Sequence, residues 1–112
     1  MDDFRRKFLA DILGSIEEIV QFTCGLDSLQ AYESNRLVQR AVERNIEIIG
    51  EAVKRITEGE IAVPVENARQ IIATRNRIIH GYDSVDNAVV WSIVRKHLPL
   101  LRGEVERLLN TP

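Results

Sequence analysis

The densest run of usable chemistry in the chain is Arg75-Asn76-Arg77-Ile78-Ile79-His80-Gly81-Tyr82, which sets two guanidiniums, a carboxamide, an imidazole and a phenol close together. A neutral imidazole can take a proton from a ribose 2′-hydroxyl, which then attacks the adjacent phosphate. Guanidiniums can stabilise the extra negative charge of the pentacoordinate transition state. On this reading the catalytic residues are His80 as base or acid, Arg75 as charge stabiliser, and Asn76 holding the phosphate or fixing the imidazole tautomer. Arg77 and Arg69 supply further cations for RNA phosphates. The same residues also have a plainer use, in which Arg75 pairs with a carboxylate and His80 caps a helix end.

These side chains need a helix to place them. Ile71, Ile72, Ile78 and Ile79 recur at helical intervals, so the motif is predicted to form the last turns of a helix from about Val65 or Glu66 to His80, stopped by Gly81. Asn76 and His80 then share a face, with Arg77 beside them. Arg75 is roughly 140° around the helix from His80, so its side chain must curl back or its target must lie across a subunit boundary. Anions favour helix N-termini, whereas His80 is predicted at a C-terminus, so arginine side chains rather than backbone amides must hold a phosphate there. General acid and base also need two groups. A two-fold dimer with both copies of His80 facing one cleft would provide them.

The whole chain of 112 residues, 45% hydrophobic, is expected to be a single domain spanning 1–112. Its net charge of −2 argues against a protein coated in positive charge for nucleic-acid binding, so contact with RNA must be a local patch, with Arg69, Arg75 and Arg77 as its candidates. One cysteine and two histidines cannot assemble a disulfide framework or a Cys/His zinc site, and the expectation is no metal and no cofactor. A reducing, cytoplasmic setting follows, with no signal peptide and no membrane span.

Asp2 and Asp3 open a first helix over about residues 3 to 23, with Leu9, Ile12, Leu13, Ile16, Ile19 and Val20 as its stripe. Cys24, just past it, is expected to be a small buried filler. Asp27 is expected to cap a short turn through Tyr32. A long helix from about Ser34 to Thr57 follows, with apolar residues so widely spread that they suggest a bundle core on one side and a dimer interface on the other. Gly50 in its middle costs about 1 kcal/mol against alanine, which points to a close helix crossing. Glu43, Glu47 and Glu51 could form a divalent-metal stripe, but Arg40, Arg44, Lys54 and Arg55 lie within a turn and ordinary surface pairs are the expectation. After a Gly- and Pro-containing loop over residues 58–65 comes the motif helix. Asp83 or Ser84 is expected to cap a last helix, which Pro99 should kink or split near residues 95–98. Trp91 and His97 are expected to be structural.

The order Arg75, four residues, His80, one residue, Tyr82 resembles the signature of the HEPN superfamily, most closely the HepT-like toxins that travel with minimal nucleotidyltransferase antitoxins. The resemblance extends to Ala41-Val42-Glu43, Ile46 through Ala52, Val90-Trp91 and Leu98-Pro99, in order, over about residues 1–110. It implies an all-α, up-and-down bundle of four to five helices that forms a homodimer with the motifs at the interface. It implies a toxin that cleaves RNA as a metal-independent endoribonuclease, and a cognate nucleotidyltransferase that neutralises it by adenylylating Tyr82. One departure is visible: such chains often carry a Pro-Trp pair before the motif helix, where this chain has Pro64-Val65-Glu66-Asn67. The alternative is a non-catalytic module that binds a nucleotide or RNA, or acts mainly as partner of the nucleotidyltransferase. The intact signature positions favour the enzyme.

Overall fold

The computed structural model describes residues 2–59, 62–81, 83 and 85–111, and among them there are helices and turns but no strand. Helix α1 (Asp3–Thr23) starts where the Asp2 side chain accepts the Arg5 amide at 2.8 Å. A short α2 (Leu29–Glu33) is capped by Ser28, not by Asp27 as the sequence suggested, because it is the Ser28 hydroxyl that reaches the Ala31 amide. Asn35 caps the long α3 (Arg36–Thr57), and α4 (Ala68–His80) carries the motif. Asp86, rather than Asp83, caps α5 (Asn87–Ser92); Ser84 lies outside the described residues.

Helix α3 is the central rod. It packs along α1 on one side and α4 on the other, while α6 (Leu98–Leu109) returns against α1. This explains the width of its apolar surface: Val42, Ile46, Ile49, Ala52, Val53 and Ile56 are all buried inside one chain. The breadth that suggested a second subunit is therefore largely used within the bundle, whereas Leu37 remains 81% exposed. Gln39 is buried but satisfied, its amide donating to the carbonyls of Tyr32 and Glu33 at 2.9 Å and tying α2 to α3.

Pro99 disturbs the helix close to where the sequence suggested, as a widened turn rather than a break in the helix. It has no N–H for the carbonyl one turn back, and the chain widens into a π segment (Ile93–His97) before continuing as α6. The Leu98 amide donates to Ile93 across this wider turn. Ile93, Leu98, Leu101 and Val105 stay buried throughout, so the apolar stripe remains on the core across the widened turn. Cys24 does not follow the expectation: it is exposed, because the buried stripe of α1 ends at Thr23 and the cysteine falls beyond it.

Each fully buried isoleucine contributes about 1.5–3 kcal/mol, whereas exposed pairs such as Lys7 with Asp11 or Arg102 with Glu17 contribute about 0–1 kcal/mol. The apolar stack therefore holds the bundle. No helix of the described residues is long and apolar enough to cross a membrane. Trp91 is a packing residue: its ring stacks on Tyr32 with centroids 5.3 Å apart, while the Arg95 guanidinium sits over it.

Tyr32 is 0% exposed, and its hydroxyl has no hydrogen-bond partner among the described residues. Burial, with the Glu43 carboxylate adding, holds the phenol well above its ordinary pKa. Removing an unpaired buried hydroxyl while keeping the ring should be neutral or should stabilise by about 1 kcal/mol. Urea denaturation of Tyr32→Phe tests this, and a clear loss of stability would show that the hydroxyl has a partner.

Candidate active site

Helix α4 is fixed by three buried residues, Ile71, Thr74 and Ile78, at helical spacing. Its entry is the segment where the sequence departs from its resemblance. Asn67 adopts a left-handed conformation (φ 63°) and makes no side-chain cap, while the Glu66 amide is held by the Glu104 carboxylate of α6 at 3.0 Å. Asparagine tolerates this region of backbone space better than most residues. At the other end the Gly81 amide donates to Arg77 at 2.9 Å. Gly81 has φ −161°, so it ends the helix in extended backbone rather than through the left-handed turn typical of a glycine there.

With the buried stripe facing α3, the polar residues of the motif are distributed by geometry alone. Arg75 is next to that stripe and its side chain is only 19% exposed. Asn76, Arg77 and His80 are exposed. A step of two residues is about 200° around a helix, so Arg75 and Arg77 leave α4 in nearly opposite directions. Arg75 lines a cavity of about 310 Å³ with Phe8, Glu47, Ile48, Glu51 and Ile79. Arg77 lines one of about 330 Å³ toward α5, with Gln70, Ala73, Val85 and Val89. Arg69 is exposed, about 80° from Arg77 on the helix. The three arginines proposed as one patch therefore divide between two faces.

Arg75 reaches α3 and its own neighbour Asn76 rather than His80, so its partners lie within the chain. Its Nη2 donates to Glu51 Oε2 at 2.9 Å and its Nη1 to Asn76 Oδ1 at 2.8 Å. Glu51 is held on its other oxygen by Arg55 Nε, also at 2.9 Å. That hydrogen bond from Arg55 is the main cause that lowers the Glu51 pKa; Arg75 and Lys54 add to it against some desolvation. The crossing itself depends on Gly50, where a Cβ would overlap the Cβ and Cγ of Arg75. The close helix approach expected at this glycine is present, and its partner is the motif arginine.

His80 is the last residue of α4, where a basic side chain suits the negative end of the helix dipole. Among the described residues neither His80 nor Arg77 has a hydrogen-bonding or ionic side-chain partner. Tyr82, the expected modification site, lies outside the described residues. Glu43 and Glu47 pair with Arg40 at 2.9 Å and Arg44 at 3.7 Å, in keeping with the expected arginine pairing, but Glu43 is buried rather than solvated. No group of three or more acidic, histidine or cysteine side chains suited to a metal occurs among the described residues. His97 is half-buried with its Nδ1 enclosed and unpartnered, which fits a structural residue.

Glu51 is the residue that sequence reasoning passed over, having grouped it with Glu43 and Glu47. The available signal was its neighbour Gly50, which marks where another helix arrives along α3.

A family model described as Ribonuclease HepT-like matches residues 12–108. A protein of Thermococcus cleftensis, provisionally named a ribonuclease HepT, is 35% identical over 104 residues, covering 92% of this chain and 94% of its own length. A Methanocaldococcus jannaschii protein provisionally named an RNase is 33% identical over 102 residues, covering 90% and 93%. A third such protein, from Caldanaerobacter subterraneus, is 31% identical over 109 residues, covering 94% of each. No solved structure matches significantly.

The crossing can be tested directly. Gly50→Ala gains about 1 kcal/mol of helix propensity but forces a methyl group into the stem of Arg75, and overpacking of this kind costs about 1–3 kcal/mol or more. A net loss of stability in urea is expected, together with faster amide exchange in α4. A net gain would show that the helices do not touch there.

Proposed function

Because the chain belongs to the HepT-like ribonuclease family, we propose that it is a metal-independent endoribonuclease, the toxin of a toxin–antitoxin pair, which acts as a homodimer in the cytoplasm and is neutralised by a cognate minimal nucleotidyltransferase. The observation that carries this reading is the intact set Arg75, Asn76 and His80 on one unbroken helix, with His80 and Arg77 exposed and unpaired among the described residues. The His80 imidazole takes the 2′-hydroxyl proton. The 2′-oxygen attacks phosphorus, and the 5′-oxygen leaves with a proton from an acid, for which the His80 of a second copy is the candidate. Arg75 steadies the charge on the phosphoryl oxygens. A guanidinium has five N–H donors, and Glu51 and Asn76 each occupy one, so the second hydrogens on Nη1 and Nη2 remain for phosphate. Arg77 and Arg69 are exposed on the side of α4 away from Arg75, which supports a role on the RNA backbone rather than on the reacting phosphate.

The second reading, a module that binds RNA or a nucleotide without cutting it, is favoured by one observation: Arg75 already has a carboxylate partner. Incubating a mixed RNA pool in chelator with wild type and with His80→Ala separates the two. The enzyme reading expects cleavage by the wild type alone, with 2′,3′-cyclic phosphate ends. Strict dependence on Mg²⁺ would sink the mechanism, and binding without cleavage would establish the module.

Arg75→Ala is also expected to abolish cleavage while dimer mass and helical circular dichroism stay close to wild type. Arg75→Lys should restore little, because an ammonium cannot make a bidentate phosphate contact.

Tyr82, two residues past His80 in the sequence, is the proposed acceptor of adenosine monophosphate. The added phosphodiester would place bulk and negative charge beside the motif and exclude the RNA phosphate. Tyr82→Phe should keep most of the cleavage activity and escape neutralisation by a co-expressed nucleotidyltransferase. Intact mass should show adenylyl additions on the wild type only; modification of the phenylalanine variant would place the acceptor elsewhere.

A further inference from the structure

We infer that Glu51 is a positioning residue for the same site, with its carboxylate, anchored by Arg55, fixing the direction in which Arg75 presents its guanidinium. The inference rests on the reading that Arg75 contacts the reacting phosphate. The geometry constrains Arg75 at three points. Its Cβ and Cγ lie where any side chain at position 50 would have to be, so the stem cannot shift toward α3. One terminal nitrogen is tied to Asn76 on its own helix and the other to Glu51 on the facing helix, at 2.8 and 2.9 Å. Glu51 is itself gripped on both oxygens, one by Arg75 and one by Arg55.

Two roles are open to a carboxylate in this place, and the observations favour one. It could be an internal competitor that fills the phosphate position until RNA displaces it. A competitor should be easily released, yet Glu51 is held from both sides, by Arg75 and by Arg55. Two arginines against one carboxylate also leave the group cationic, so a phosphate can bind beside Glu51 without replacing it. Without Glu51, Arg75 would be a four-fifths enclosed cation with only a neutral carboxamide for a partner. Its long side chain would then turn toward water. A guanidinium that must find its place during the reaction loses the advantage of fixed orientation.

Glu51→Gln is the test, because the amide matches the carboxylate in size at a position 37% exposed while it removes the charge and one of the two acceptor oxygens that the arginines share. Cleavage should lose about 10- to 100-fold in kcat with KM changed less than about threefold, the pattern for a contact that matters in the transition state rather than in substrate binding. Arg55→Gln, which leaves Glu51 charged but releases one of its oxygens, should lose activity in the same direction and to a lesser degree. It also serves as the second variant if Glu51→Gln folds poorly. Independently of activity, the enclosed Arg75 Nε proton should give a protected ¹⁵N–¹H signal in the wild type, assigned by its loss in Arg75→Lys. That signal should disappear in Glu51→Gln. Unchanged or increased cleavage by Glu51→Gln overturns the inference, as does a retained Arg75 signal. If the wild type cleaves no RNA while the signal behaves as expected, the ribonuclease reading has failed and the hold of Glu51 on Arg75 stands.

Discussion

Everything at the candidate site depends on how closely α4 can approach α3, and that approach is set by the missing side chain of Gly50. A glycine inside a helix costs about 1 kcal/mol, and here the cost is offset by the contact it allows. The stem of Arg75 lies across the gap, and the flanking Ile71, Thr74 and Ile78 sink into the core. A larger residue would move the helix and with it every side chain the motif carries. The apolar stack of α1, α3 and α6 supplies the rigid wall against which this happens, but the crossing decides where the chemistry sits.

Once α4 is fixed, helical geometry divides the motif between two surfaces. Arg75 turns in toward α3, while Asn76, Arg77 and His80 turn out. Residues close in sequence thus meet different environments, Arg75 an enclosed ionic network that Asn76 joins from the rim, and Arg77 and His80 open solvent. A phosphate engaged by Arg75 and His80 together must lie across the edge of the helix rather than along one face. This is also why a second subunit is attractive chemically: it can complete from outside what one helix cannot present on one side.

The helices and most of the core were legible in the sequence because their signals are periodic. The limits of α1 and the disturbance before Pro99 follow from spacing or from proline chemistry, and so does the apolar stripe of α1 except at Val20, which was expected on it and is 47% exposed. Caps were less legible. Asp27 and Ser28, or Asp83 and Asp86, are equally good cap residues, and only the path of the chain decides between them. The exposure of Cys24 and the burial of Glu43 depend on which neighbours arrive from far along the chain, which no local pattern encodes. For the site, the helix and its end were readable, and so was the poor alignment of Arg75 with His80. The partner of Arg75 was not, because Glu51 is brought to it by tertiary packing, and three glutamates at regular spacing look alike until the helices are assembled.

The local rules that this chain breaks concentrate around α4 and the helix that follows it. They are a glycine inside α3, a left-handed asparagine at the entry to α4, and a widened turn before Pro99. Regular helix would be more stable at each of these points in isolation, so each irregularity must be held by its surroundings. The glycine is explained by the crossing. The asparagine stands beside the tie from Glu66 to Glu104, which links the start of the motif helix to α6. The widened turn accommodates the missing amide of Pro99 while Leu98 and Leu101 stay in the core. The motif helix is thereby fixed at its entry by α6 and along its inner face by α3, leaving its outer face, with Arg69 and Arg77, and its C-terminal end, with His80, free to meet another molecule.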